Sequence, residues 1–161
     1  MPDQSLLTDE VLALIGRETV SGSVDVTLRG WRHAVEVYTG RVPDETPAAG
    51  DPVSGYAIAG LETDYEATEL PPLLPNSILI ANQWEFERPL RMGEKLQASY
   101  RLVDINERFG GRFGYSIDFR AEVVYRDTDG NIVARSGRTM TQFDPTEAKA
   151  RDAAESGRAA K

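Results

Sequence analysis

The side chains able to move a proton or hold an anion fall in three places. Residues 38–50, YTGRVPDETPAAG, set Asp44, Thr46 and Pro47 in close order after an apolar helix pattern. That helix, WRHAVEVY, carries Glu36 and His33, the one histidine in 161 residues. ERPLRMGE puts Arg88 and Arg91 on either side of Pro89, just before Gly93. A carboxylate and an imidazole brought within reach of one substrate can exchange a proton with it. Two guanidiniums beside a turn can hold a phosphate or a carboxylate. Each feature also has a plainer reading. A carboxylate among Glu45 and Asp51 in a proline-rich loop is usually solvated. An isolated histidine is more often structural than catalytic, and arginines at turns mostly face water. One histidine and no cysteine leave only carboxylates for a metal, which argues against a metal centre. There is no Gly-x-Ser-x-Gly and no phosphate-binding glycine loop.

Composition narrows the partners. The formal net charge is −8 and the isoelectric point about 4.7, a balance that repels nucleic-acid backbones. Without cysteine there is neither a disulfide nor a thiolate nucleophile, which fits a reducing compartment. The start, MPDQSLLTDE, lacks the basic and apolar segments of a signal peptide. No run approaches the roughly 20 apolar residues of a membrane helix. The expectation is a soluble, cytoplasmic chain that needs no membrane.

The elements that must position these residues are legible in part. Thr8 is placed to cap a helix over residues 9–15, with Asp9 and Glu10 at its positive end and Gly16 at its exit. SVDVTL, residues 23–28, alternates as a strand does. After Gly30, Trp31, Ala34, Val35 and Tyr38 fall on one helical side, and Gly40 ends the run. Residues 41–76 hold six prolines and many acids, including Asp64 and Glu66, with GYAIAGL as a short apolar element. Long strands follow over 78–90, 95–108, 112–126 and 131–143, joined by turns at 109–111 and 127–130. In the 112–126 strand, Phe113, Tyr115, Ile117, Phe119, Ala121, Val123 and Tyr125 share a face expected to be buried. Gly114, Ser116, Asp118, Arg120, Glu122 and Arg126 share one expected to be wet. Beyond Pro145 the chain is alanine and charge with nothing to bury, so residues 145–161 read as frayed helix or disorder. Residues 1–144 make a single α+β domain, a long curled antiparallel sheet wrapped around the Trp31–Tyr38 helix.

That arrangement is the hot-dog fold, and four stretches resemble the MaoC-like acyl dehydratases, in particular the degenerate N-terminal hot dog of double hot-dog enoyl-thioester hydratases. They are LTDEVLALIGRETV, VTLRGWRHAVEVYTG, WEFERPLRMGEKLQASYRLVDINER and GGRFGYSIDFRAEVVYRDTDGNIVARS. Together they span most of residues 6–144. Family members that catalyse carry Gly-Asp-x-Asn-Pro-x-His. They add water across the α,β double bond of an acyl thioester, or remove it. On this chain Asp44 and Pro47 match the motif, Thr46 stands for the asparagine and Ala49 for the histidine. A register placing Arg41 at the aspartate fits worse.

The resemblance therefore implies an acid/base pair that is not intact, with Asp44 and His33 the remaining catalytic candidates. Tyr38, Pro47, Arg88 and Arg91 become substrate-binding candidates. The implied chain is a substrate-binding subunit of an (R)-specific enoyl-CoA hydratase or 3-hydroxyacyl-thioester dehydratase in fatty acid metabolism, paired with a catalytic MaoC-like partner. The only cofactor implied is the CoA or phosphopantetheine of the substrate itself. Two alternatives remain open. One is a self-sufficient hot-dog hydratase or thioesterase with Glu36 or Asp44 as base. The other is an acyl-CoA-binding dimer without turnover. In each case an unpaired sheet edge points to a homodimer or heterodimer.

Overall fold

A computed structural model describes residues 5–63 and 71–146. A short helix α1, Asp9–Leu12, leads into strand β1, Glu18–Asp25, and helix α2, Leu28–Thr39. A 3-10 turn, Gly55–Gly60, and a two-residue strand β2, Glu62–Thr63, follow. The long strands are β3, Asn76–Phe86; β4, Lys95–Gly110; β5, Gly114–Arg126; and β6, Ile132–Phe143. All pair antiparallel in one sheet of order β2-β1-β4-β5-β6-β3. Register shifts between Val20 and Gly22, Leu79 and Ala81, and Leu102 and Asp104 let strands of up to 16 residues bend.

One face of the sheet carries the core. Ala98, Tyr100 and Leu102 of β4 stand opposite Tyr125, Val123 and Ala121 of β5, so their side chains share that face. The core has two parts. At one end Trp31 of α2 and Ala57 and Ile58 of the 3-10 turn pack with Val24, Leu90, Leu96, Ala98, Tyr125 and Val133. At the other, Val11 joins Leu102, Ile105, Tyr115, Ile117 and Phe119, with Leu6, Leu73 and Leu74 packed against them. The helix expected to fill the sheet thus covers one end, helped by the 3-10 turn, while the N-terminal segment and residues 73–74 cover the other.

Several boundaries differ from the sequence expectation. Strand β1 starts and ends earlier than residues 23–28, because the Thr27 hydroxyl caps α2 and draws Leu28 into the helix. Helix α1 stops at Leu12 rather than 15, since Gly16 N–H turns away to the Leu102 carbonyl of β4. The third strand ends at Phe86, ahead of Pro89, which cannot donate to a ladder. The expected wet face of β5 is partly buried. Gly114, Ser116 and Glu122 lie inside, because β5 is flanked by β4 and β6 and long polar side chains lie across it.

On this outer face Arg101 and Arg135 converge on buried Glu122, at 2.6 and 3.7 Å. The Ser99 hydroxyl donates to Glu18 at 2.5 Å, and Arg126 approaches the same carboxylate at 3.3 Å. The Ser99 hydroxyl, first of all, and the Arg126 guanidinium hold the Glu18 carboxyl below the usual range, against its partial burial. The readings placed on residues 1–4, on Asp64 and Glu66, and on the tail past Thr146 fall outside the described residues.

Candidate functional site

The loop after α2 is ordered by backbone hydrogen bonds to the β3–β4 connection. Gly50 N–H donates to Met92 O, Val53 N–H to Leu90 O, and Met92 N–H to Asp51 O. The Asp51 carboxylate accepts from Ala48 N–H at 2.8 Å, closing the loop on itself. Asp44 and Ala49 are exposed and Pro47 is half-buried. The Asp44 carboxylate makes no hydrogen bond or ion pair with any described residue, so nothing in the loop orients it.

The two turn arginines are engaged within the protein. Arg88 meets Glu94 at 2.5 Å and Asp127 at 3.5 Å, and donates to Pro89 O. This fork ties the β3–β4 turn to the β5–β6 turn, and the Glu94 hydrogen bond raises the arginine's already high pKa. Gly93 carries the positive φ of 77° that closes the β3–β4 turn. Arg91 donates to Gly50 O at 2.8 Å and so holds the 48–53 loop in place. Tyr38 is half-exposed, with its ring stacked on Tyr56 at 5.3 Å and edge-on to Trp84 at 5.2 Å. Phe86 lies against Gly55 next to them.

His33 stands elsewhere, in a groove of about 530 Å³ lined by Arg29, Gly30, Arg32, His33, Glu36, Ala59, Gly60 and Leu61. The helix and the 3-10 turn meet at its floor. A Cβ on Gly30 would lie 2.1 Å from Gly60 O, and one on Gly60 equally close to Gly30 O. The charged wall was readable but missed: residues 29, 32, 33 and 36 follow the i, i+3, i+4, i+7 spacing of one helix face. The glycine contact that makes the groove joins residues 30 apart in sequence and leaves no local signal. Among the described residues, no group of three or more histidines and carboxylates has metal-binding geometry.

The third feature is the sheet edge. β3 is an outer strand, and of its 11 residues Trp84 alone is half-buried while the rest are exposed. Ile78, Leu79 and Ile80 are 43%, 48% and 54% exposed. The strand carries no lysine, arginine or proline to blunt its edge.

No protein-family model matches the chain, and no curated protein does. Solved structures do. A MaoC-like dehydratase from Rhodospirillum rubrum aligns over 80% of this chain and 92% of its own, at 16% identity and a TM-score of 0.54. Another MaoC-like dehydratase aligns over 83% of this chain at 16% identity and a TM-score of 0.51, but the match spans only 43% of that longer chain. At such identities the likeness establishes the fold: the chain is a single α+β hot dog, the fold of these dehydratases. No helix among the described residues is long and apolar enough to cross a membrane.

Proposed function

We propose that the chain is the substrate-binding, non-catalytic hot dog of an (R)-specific enoyl-thioester hydratase or 3-hydroxyacyl-thioester dehydratase, working beside a catalytic hot-dog chain. The observation that carries this reading is the state of the loop after α2. Alanine occupies the position where a proton donor is needed, and Asp44 is exposed with nothing to orient it. Hydration requires a base to take a proton from water as oxygen attacks Cβ, and an acid to protonate Cα. It also requires donors for the enolate-like thioester oxygen. Arg88 and Arg91 are engaged in holding turns together, and His33 lies in the separate α2 groove. A partner carrying the acid/base pair supplies what is missing.

The sheet edge supports the pairing. β3 presents eleven residues of open ladder with Ile78, Leu79 and Ile80 beside it. An antiparallel strand from a second hot dog would cover both the unpaired backbone and the apolar side chains. The half-exposed Tyr38, Tyr56, Trp84 and Phe86 cluster at the end of the same strand, and in the pair it forms one wall of the acyl site.

The test is hydration of crotonyl-CoA by the purified chain, alone and mixed with a MaoC-like hydratase chain encoded beside it. We expect turnover only in the mixture, and Asp44→Ala to leave that rate within about twofold, since a solvated carboxylate contributes little. Turnover by the chain alone, abolished by Asp44→Ala, would overturn the reading.

A further inference from the structure

We infer that the groove between α2 and the 3-10 turn is a phosphate-binding subsite, taking the phosphate end of the carrier arm that holds the acyl thioester. The inference deepens the acyl-thioester reading and rests on it for the identity of the ligand. The phosphate chemistry itself is carried by the groove.

Arg29, Arg32 and His33 line one wall, on a chain whose overall charge is −8. None of these side chains makes a hydrogen bond or ion pair with another described residue. They differ in this from Arg88, Arg101, Arg108, Arg126 and Arg135, each of which meets a carboxylate. Two uncommitted guanidiniums one helical turn apart can each offer a two-pronged fork to a multi-oxygen anion. A single carboxylate would satisfy one fork and leave the other idle. A concave site also concentrates their field, which flat surface arginines do not achieve.

The opposite wall adds no charge, being Ala59, Gly60 and Leu61. The Gly30–Gly60 contact sets the floor, and no side chain rises from it into the space. Glu36 stands at the far end of the same stripe and gives the ligand a direction. The phosphate meets Arg29 and Arg32, while the part near Glu36 must be uncharged and able to donate hydrogen bonds. A pantetheine arm, with its amide N–H and hydroxyl groups, has that character.

The test is calorimetric titration of the full chain with CoA, dephospho-CoA, 4′-phosphopantetheine, pantetheine and inorganic pyrophosphate. The variants are Arg29→Gln, Arg32→Gln and, as an equal-charge control outside the groove, Arg17→Gln. All three arginines are exposed, so folding is not at stake. Pantetheine, lacking phosphate, should bind at least roughly tenfold more weakly than CoA, and Arg29→Gln and Arg32→Gln should each lower CoA affinity by about tenfold. Arg17→Gln should change nothing.

If 4′-phosphopantetheine matches CoA, one phosphate suffices and the source is a carrier-borne arm. If CoA is clearly tighter, the source is free CoA. Binding of pyrophosphate that depends on Arg29 and Arg32, with no binding of any pantetheine compound, would keep the phosphate site and remove the acyl-thioester reading. Equal binding of pantetheine and CoA, an equal loss in Arg17→Gln, or no binding of any probe would overturn the subsite.

Discussion

Gly30 and Gly60 meet backbone to backbone, so closely that a methyl group on either would sit 2.1 Å from the carbonyl oxygen of the other. The contact joins α2 to the 3-10 turn, and both then pack on one end of the sheet through Trp31, Ala57 and Ile58. Backbone cannot swing aside as a side chain can, so a substitution there must move the helix or the turn. In an exposed helix Gly→Ala stabilises, but here the clash decides the sign. Gly30→Ala and Gly60→Ala should each cost about 2–3 kcal/mol in urea unfolding. A neutral result would mean that the two elements are not held together.

The outer-face ion pairs should differ in weight according to burial. Glu122 is 6% exposed and bridges Arg101 and Arg135; Glu122→Ala takes away the 2.6 Å partner of Arg101, while Arg135 keeps Glu87 at 2.9 Å, and should cost about 2–3 kcal/mol. Arg108 meets Asp118 at 2.9 Å with its side chain 70% exposed, and Arg108→Ala should cost less than about 1 kcal/mol. Equal losses in thermal unfolding would contradict the burial argument.

The N-terminal segment is latched by one carboxylate. Glu107 accepts from the Tyr115 hydroxyl, from Ser5 at 2.9 Å and from Leu6 N–H at 3.0 Å. The Tyr115 hydrogen bond, foremost, holds the Glu107 carboxyl below its ordinary range. A carboxyl whose folded pKa is depressed adds stability above its unfolded pKa, and that stability is lost as pH falls through the folded value. Glu107→Gln should therefore flatten the acid limb of the stability profile. Tyr115 behaves in the opposite sense. Burial, then the Glu107 hydrogen bond, pushes its hydroxyl up to about 12, so its contribution is full below the ordinary tyrosine value and lost as pH rises through about 12. Ultraviolet titration should show a tyrosine ionising near pH 12, and Tyr115→Phe should remove that step.

Assembly should run through β3. Ile80 lies at the register shift of the outer strand, 54% exposed. Ile80→Lys puts a charge where a partner strand would lie and should convert the assembled form to monomer in sedimentation velocity. The same substitution should alter unfolding by less than about 1 kcal/mol, because the side chain packs on little within the chain. A wild-type chain that is monomeric alone and in the mixture would remove the edge from consideration.

The long strands, the turn at 127–130, the cap at Thr8 and the lack of a proton-transfer residue at Ala49 are all written in the local sequence. Alternation, capping and residue identity act over a few positions, and neighbours in the chain carry them. It also held the charged stripe of Arg29, Arg32, His33 and Glu36, which helical spacing alone could have shown. What these groups touch depends on contacts between distant parts of the chain. Arg88 meets Asp127 across 39 positions, and Arg91 meets Gly50 across 41, so their engagement is invisible to any local pattern. β1 stops early because capping α2 through Thr27 outweighs extending an alternating run. The stripe became a groove because two glycines 30 residues apart let the backbones of α2 and the 3-10 turn touch. β3 reads as a strand in sequence, but the sheet order made it an edge and left its isoleucines open to a partner.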